Sequence, residues 1–229
     1  MNWKMIYMDE VLSTNDEALK EFCHTCVVAK KQTKGRGRCG RDWVSSEGNL
    51  FFSVVLERPQ KNVHLLSFIV ALSVVESLSD VNVQLKWPND VLIDGKKVAG
   101  ILLECHDDKV IAGVGINTTS VPEGKFLYPI TSLNGLYKNE KLLQNILKRL
   151  DDNCLLFKES GFEPIRQKCM QYMMGLSKEI MVRLPMEEVR GVFTNIACDG
   201  AIELQLKDSS IRLIRAGDVF LLNEGIKNE

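Results

Sequence analysis

Residues Lys30 to Arg41 read Lys-Lys-Gln-Thr-Lys-Gly-Arg-Gly-Arg-Cys-Gly-Arg, with six cations and no acid in twelve residues. Glycines at 35, 37 and 40 let the backbone bend tightly and bring its N–H groups close to an anion. Arg36, Arg38 and Arg41 add forked donors that match carboxylate and phosphate. Such a segment is built to hold something negative, and three uses compete. Gly35–Gly40 satisfies the G-x-G-x-x-G pattern, but no helix signal follows, since the chain continues Arg41-Asp42-Trp43-Val44-Ser45-Ser46. A flexible arginine–glycine loop touching RNA is the second use. The third is a small anionic substrate held for reaction, and other polar clusters bear on that choice.

Lys86-Trp87-Pro88-Asn89-Asp90 sets a cation, an amide and a carboxylate around a proline turn. Lys97-Val98-Ala99-Gly100 puts a lysine near a strand end, with small residues that leave room beside the backbone for a flat ligand. Gly113-Val114-Gly115-Ile116-Asn117 closes another strand with two glycines and an amide. Each alone is ordinary turn chemistry; together they converge on one site.

The elements that must position these residues follow from periodicity. Strands are expected over 3–7, 25–29, Leu50–Glu57, Val83–Trp87, Asp90–Ile93, Lys97–Cys105 and Lys109–Ile116. Asp94-Gly95 marks a type I′ hairpin turn. Thr14 and Glu17 form a capping-box pair opening a helix to Phe22, and helices are expected over 62–78, 140–158 and 163–173. After Gly175 come five short strands, with turns at Pro185, Asp199-Gly200 and Asp208-Ser209, a pattern that suggests a small barrel. The class is α+β, a largely antiparallel sheet with helices. The boundary falls near Leu176, giving domains 1–176 and 177–229.

Net charge is −1, so nothing global favours nucleic acid or an anionic membrane. The N-terminus is too short and polar for a signal peptide, and no apolar run approaches the ~20 residues that span a bilayer. Seven scattered cysteines, an odd number, argue for reduced thiols and a cytoplasmic protein. Cys23-His24-Thr25-Cys26 is a lone CxxC with no second pair, and reads as an accident of a helix end rather than a metal site.

Gly35–Trp43, Lys86–Asp90, Lys97–Glu104 and Gly113–Asn117, in this order, together with Ser13-Thr14-Asn15, resemble the motifs GRGRxGRxW, KWPND, KxAGILxE and GxGIN of biotin–protein ligases. The resemblance covers roughly residues 5–135 by motif, and the tail matches the family's SH3-like C-terminal domain more loosely. It implies a catalytic domain like that of class II aminoacyl-tRNA synthetases. It also implies the making of biotinyl-AMP from biotin and ATP with Mg²⁺, then transfer of biotin to a lysine of a biotin carboxyl carrier domain.

By that resemblance, Ser13, Thr14, Asn15 and Gln32 hydrogen-bond the ureido ring, a neutral group that neutral polar partners suit. Thr14 has helix capping as its plainer role. Arg36, Gly37 and Arg38 bind the carboxylate and α-phosphate, with Gly35 and Arg41 in the same loop and Gly100 and Gly115 beside the ligand. Lys97 is the central cation, since two anions must meet and fixed charge cancels their repulsion. Trp43 packs on adenine or simply in the core, and Asn117 bonds the adenine edge. Lys86 and Asn89 support phosphate or acceptor contacts. Asp90 orients Lys97, helps hold Mg²⁺, or assists deprotonation of the incoming amine, whose reference pKa is near 10.4. Cys39 stands where some relatives carry another basic residue, which bears on how firmly the intermediate is retained.

Some members of the family repress transcription through an N-terminal helix-turn-helix domain. Here Trp3-Lys4-Met5 runs straight into the catalytic part, so no DNA binding is expected. The near rival is a lipoate or octanoate ligase, which needs a longer apolar tunnel and no ureido-reading set. The rival of another class, an RNA-binding protein, leaves Lys97 and Asn117 without purpose. A homodimer through strands with small residues such as Ala112 and Gly113 is a further expectation. The segment Lys31–Asn49 is expected to act as a lid over the reactive anhydride. Limited proteolysis should therefore nick it more slowly once biotin is added, and equal rates would refute the lid.

Overall fold

Leu50–Glu57 has seven of its eight residues buried, as a strand covered on both faces must. This strand, β3, sits inside a seven-stranded sheet in the computed structural model, which describes residues 2–124 and 126–222. The others are β1 (Lys4–Val11), β2 (Thr25–Gln32), β4 (Val83–Lys86), β5 (Asp90–Ile93), β6 (Lys96–Cys105) and β7 (Lys109–Ile116). Their order is β1-β2-β3-β7-β6-β5-β4, and every pair except β1–β2 is antiparallel. The β5–β6 turn has Asp94 at φ 49° and Gly95 at φ 73°, the two positive values that its sequence signals.

Register assigns the two faces. Because side chains alternate, Cys26, Val54, Val110 and Ala112 face one way and enter the main core. There they meet helix α2 (Leu66–Val75), apolar all round with nine of ten residues buried, and α3 (Asn139–Ser160) and α4 (Phe162–Met170) beyond it. On the opposite face Val27, Val55 and Ile111 cover only Ala18 of the five-residue helix α1 (Thr14–Ala18). Further along, that second face is covered by Asn15 and Trp43. Its strip is Ser53 paired with Gly113, Phe51 with Gly115, and Gly100 with Gly115 across β3, β7 and β6.

Helix α1 departs from the sequence reading. Ser13, not Thr14, is its cap, accepting from the Asn15 N–H, and the helix stops at Ala18 rather than reaching Phe22. Lys109 Nζ takes the carbonyls of Leu19 and Glu21 at 2.9 Å each, which offers the chain an alternative to further helical bonds. The small residues Ala112 and Gly113 also cannot pair across a two-fold axis. Strand β7 is hydrogen-bonded on both sides; among the described residues the edge strands of this sheet are β1 and β4, and β4 in turn bridges Met173 through Leu85.

The second sheet holds β8 (Glu179–Arg183), β9 (Glu188–Ile196), β10 (Ile202–Gln205), β11 (Ile211–Ile214) and β12 (Asp218–Leu221), in the antiparallel order β11-β10-β9-β8-β12. Where a barrel was expected, the hydrogen-bonded order is open, with the four-residue strands β11 and β12 at its edges. Residues 223–229 of the expected second domain lie outside the described residues. The second sheet is tied to the rest of the fold by polar contacts: Trp87 Nε1, just after β4, donates to Gly200 O at 2.9 Å in a buried bond, and Arg166 of α4 donates to Asn195 Oδ1 at 2.6 Å. Among the described residues, no helix is long and apolar enough to cross a membrane.

Candidate active site

The basic segment folds as a small arch over the open face of the first sheet. Trp43 N–H donates to Gly35 O at 2.9 Å, Gly37 N–H donates to Arg41 O at 2.6 Å, and Arg36 bridges Asp42 in antiparallel fashion. A Cβ on Gly35 would lie 2.5 Å from Trp43 O, so only glycine lets the two limbs of the arch meet. Gly35 lies in neither cavity beneath the arch and serves its shape.

The first cavity is lined by Ser13, Thr14, Asn15, Gln32, Arg36, Gly37, Arg38, Gly100 and Gly115. Its closed end is a neutral polar network. Gln32 Oε1 accepts from Thr14 N–H at 2.8 Å and from its hydroxyl at 3.0 Å, and Gln32 Nε2 donates to Ser45 at 3.1 Å. The Ser53 hydroxyl donates to Asn15 Oδ1 at 2.6 Å and lies 2.7 Å from Thr14 Oγ1. Arg36 is not a free cation here. It meets Asp16 through two bonds of 2.7 and 3.0 Å, and Glu104 through two of 3.1 Å, while Glu104 also accepts from Asn15 at 2.9 Å. Its guanidinium holds the Asp16 carboxyl below the usual carboxylate range. The pairing sets Arg36 as a brace over the polar end rather than beside a second anion.

Trp43 fills the space that the sequence left for a flat ligand. Cβ atoms on Gly100 and Gly115 would lie 2.8 and 2.3 Å from its indole. Lys97 Nζ stands 5.3 Å from the centre of that ring and 2.7 Å from Asp90 Oδ1. The Lys97 backbone is pinned by Pro129 O and Thr131 N, each at 2.8 Å. Lys97 thus projects from a fixed strand end toward both cavities, and lines both.

The second cavity is lined by Arg38, Arg41, Trp43, Asn89, Asp90, Lys97 and Asn117, with Phe126, Tyr128 and Asp218 as further walls. Arg38 donates to the neutral Asn89 Oδ1 at 3.0 Å, and Asn89 Nδ2 donates to Ile101 O at 2.7 Å. Arg41 reaches Asp218 of the second sheet at 3.1 Å. Asn117 is anchored through Nδ2 to Thr131 O at 3.0 Å, yet its Oδ1 is buried without a partner, as are Trp43 Nε1 and Tyr128 OH. Each buried polar atom left unpaired costs about 1–3 kcal/mol, and three at one cavity mark a place where a ligand completes the bonding.

Lys86 lies outside both cavities. It is 6 % exposed, with Nζ 3.0 Å from the centre of the Tyr128 ring and 5.6 Å from that of Phe220. Burial pushes its pKa down to about 8, with the charges of Lys97 and Arg41 acting in the same sense. The sequence reading missed Ser53, Asp16, Tyr128 and Asp218, and quoted Glu104 without giving it a job. Ser53 had a signal, being the one hydroxyl in the apolar run Leu-Phe-Phe-Ser-Val-Val-Leu. Asp218 had none.

The chain is similar to known proteins over nearly its whole length. Residues 12–122 match the biotin/lipoate A/B protein ligase family, and 176–222 match the biotin protein ligase C terminal domain. The chain is 33% identical to the biotin–[acetyl-CoA-carboxylase] ligase of Paracoccus denitrificans, over 91% of this chain and 96% of that protein. It is 31% identical to the bifunctional ligase/repressor BirA of Bacillus subtilis, over 96% of this chain and 75% of that one. Among solved structures, the biotin protein ligase of Aquifex aeolicus in complex with biotin and ATP superposes with a TM-score of 0.84 at 33% identity, covering 95% of this chain and 97% of that one.

Two outcomes follow from the geometry. Gly115→Val should push the indole off its seat, shifting tryptophan emission to the red in the native background but not in Trp43→Phe. An unchanged spectrum would contradict the contact. For Lys86, a native pKa below the ordinary value of 10.5 means that the unfolded chain binds more protons between about pH 8 and 10.5. Its stability contribution therefore rises with pH across that window. The stability gap between Lys86→Met and the native chain should fall by on the order of 3 kcal/mol from pH 7 to pH 10.5, measured by urea unfolding.

Proposed function

The chain belongs to the biotin protein ligase family, and from that premise we propose how its residues divide an ATP-dependent ligation of biotin to protein. The carrying observation is a neutral hydroxyl–amide network at the closed end of one cavity, joined through Lys97 to a cationic second cavity. Ser13, Thr14, Asn15 and Gln32, supported by Ser53, take the ureido ring. A urea offers donors and an acceptor without charge, so this set satisfies it where ionised groups would be desolvated for no gain. The valeryl chain then runs toward Lys97 past the Trp43 indole, which is seated on Gly100 and Gly115.

ATP takes the second cavity, with Asn117 Oδ1 accepting from the adenine edge and Trp43 closing over the junction. A biotin carboxylate oxygen bonds to the α-phosphorus as the bond to pyrophosphate breaks. Lys97 and Arg38 face both anions and stabilise the charge that develops between them. In the second step a lysine amine bonds to the carbonyl carbon, AMP leaves, and the amine's proton departs. Asp90 is committed to Lys97 at 2.7 Å, which favours orienting that cation over holding metal or acting as a base. Magnesium comes as part of the MgATP substrate.

The acceptor is a biotin carboxyl carrier domain. Residues 1–176 form the catalytic domain, of the class II synthetase-like kind, and 177–229 the SH3-like C-terminal domain. A cytoplasmic setting suits seven free thiols, and a homodimer would have to use a surface other than β7.

Intact-mass analysis of an apo carrier domain with this protein and MgATP tests the reading, with biotin in one tube and lipoate in another. A gain of one biotin is expected, falling at least about 100-fold in rate for Lys97→Ala, the cost of deleting one fixed donor at developing charge. Gain with lipoate alone would assign the chain to the sister activity.

A further inference from the structure

A third cavity opens where the two sheets meet, and neither biotin nor nucleotide has been given a use for it. It has a volume of about 420 Å³. One wall is the outer part of β6, Ile101 to Leu103 with Cys105; another is the start of α2, at Ser67 and Phe68; the third is the β9–β10 turn of the second sheet, Asp199 to Ala201. Of the residues shared by the first two cavities, Arg38 and Asn89 also line this one.

Ligation needs three reactants to meet at one carbonyl: the biotin carboxylate, the nucleotide phosphate and an incoming amine. Two cavities serve the first two. The amine cannot come through the ureido end, which Arg36 closes with Asp16 and Glu104 and which lies at the wrong end of biotin. Nor can it come through the nucleotide cavity while the adenylate fills it. The third cavity reaches the same junction from the protein surface. We propose that it is the docking groove of the acceptor, and that the target lysine passes along it to the mixed anhydride beside the Arg38–Asn89 pair. This rests on the ligase reading given above.

The lining says what kind of acceptor segment fits. Phe68, Ile101 and Leu103 give an apolar path for the methylene stem of a lysine and for apolar neighbours. Arg38 stands at the inner end and Arg215 at the rim, against one carboxylate, Asp199, which is already occupied by Arg215 at 2.8 Å and by Ala201 N–H at 3.2 Å. Two guanidiniums to one carboxylate favour a loop with acidic side chains near its lysine. The partner is a folded protein presenting such a loop, and the second sheet helps select it by supplying one wall.

Ser67→Tyr narrows the groove and Arg215→Glu reverses its rim charge; neither residue touches the biotin or nucleotide cavity. Each is assayed in two ways: biotin hydroxamate formed with MgATP, biotin and hydroxylamine, an amine too small to need docking, and transfer to the apo carrier domain. Hydroxamate formation should stay within about twofold of the native chain. Carrier kcat/KM should fall tenfold or more for Ser67→Tyr. For Arg215→Glu it should fall several-fold, with a shallower dependence on salt. Carrier transfer at the native rate in both variants overturns the groove, as does a parallel loss of hydroxamate. Dimers in the native chain that both variants dissociate, with transfer intact, would give the groove to a second copy instead. No hydroxamate from the native chain would overturn the adenylation reading itself.

Discussion

Two anions must be held within bonding distance of each other, and this repulsion governs how charge is arranged in the molecule. A cation that is to answer it has to be fixed in place without being cancelled beforehand. Arg38 meets that demand by leaning on the neutral oxygen of Asn89, keeping its charge available. Lys97 leans on one carboxylate, Asp90, but from a strand end pinned on both sides, so its direction is set by the backbone. Arg36 and Arg41 are different, since each is matched by acids at bonding distance and braces the arch against α1, β6 or the second sheet. The basic segment is therefore two populations of arginine with opposite requirements. Lys86 marks how much positive charge the region tolerates. Buried behind Asp90 without a carboxylate of its own at bonding distance among the described residues, it is held by an aromatic face and gives up its proton near pH 8.

Placing these charges depends on a sheet whose two faces are used differently. The face under α2 is filled with apolar side chains and supplies rigidity. The opposite face is thinned by glycine at 100, 113 and 115, where Cβ atoms would collide with Trp43 or with Asn15. Alternation along β3, β6 and β7 puts all three glycines and Ser53 on that one side, so a single register fixes floor, seat and polar end together. A slip of one residue would turn the strip into the core and the core into the site.

Most of what depended on short-range chemistry was legible from the chain, the cap of α1 excepted, which fell at Ser13 and not Thr14. The Asp94-Gly95 turn, the run Leu50–Glu57 and the five short C-terminal strands announce themselves through turn residues and alternation. The basic arch was legible because glycine and arginine are concentrated in it. What escaped was set by contacts between distant residues. Arg41 meets Asp218 across 177 positions, and no property of either residue marks the other. Beyond the end of helix α1, Lys109, some 90 residues on, takes the carbonyls of Leu19 and Glu21, where the sequence pattern continued the helix. Room beside Gly100 could be foreseen, but not that an indole from the arch would take it. Arg36 and Arg38 look equivalent in sequence, and only the acids brought by folding separate them.

The second sheet then has a stronger claim than covering one end of the first. It supplies Asp218 to the nucleotide cavity and Phe220 against Tyr128 and Lys86, and its Gly200 carbonyl receives the Trp87 indole. Each contact lands on the arch, on the Lys86–Asp90 turn or on the loop carrying Tyr128, the segments that must hold still while an acyl phosphate exists. A mixed anhydride has to be kept from water and yet be reached by an amine. Two sheets that meet along a seam can satisfy both demands, because the seam is closed where Trp87 bonds Gly200 and opens into the third cavity beside it. The Arg38–Asn89 hydrogen bond sits at the inner end of that seam, so under the proposed roles the group that helps hold the anions also stands where the amine arrives.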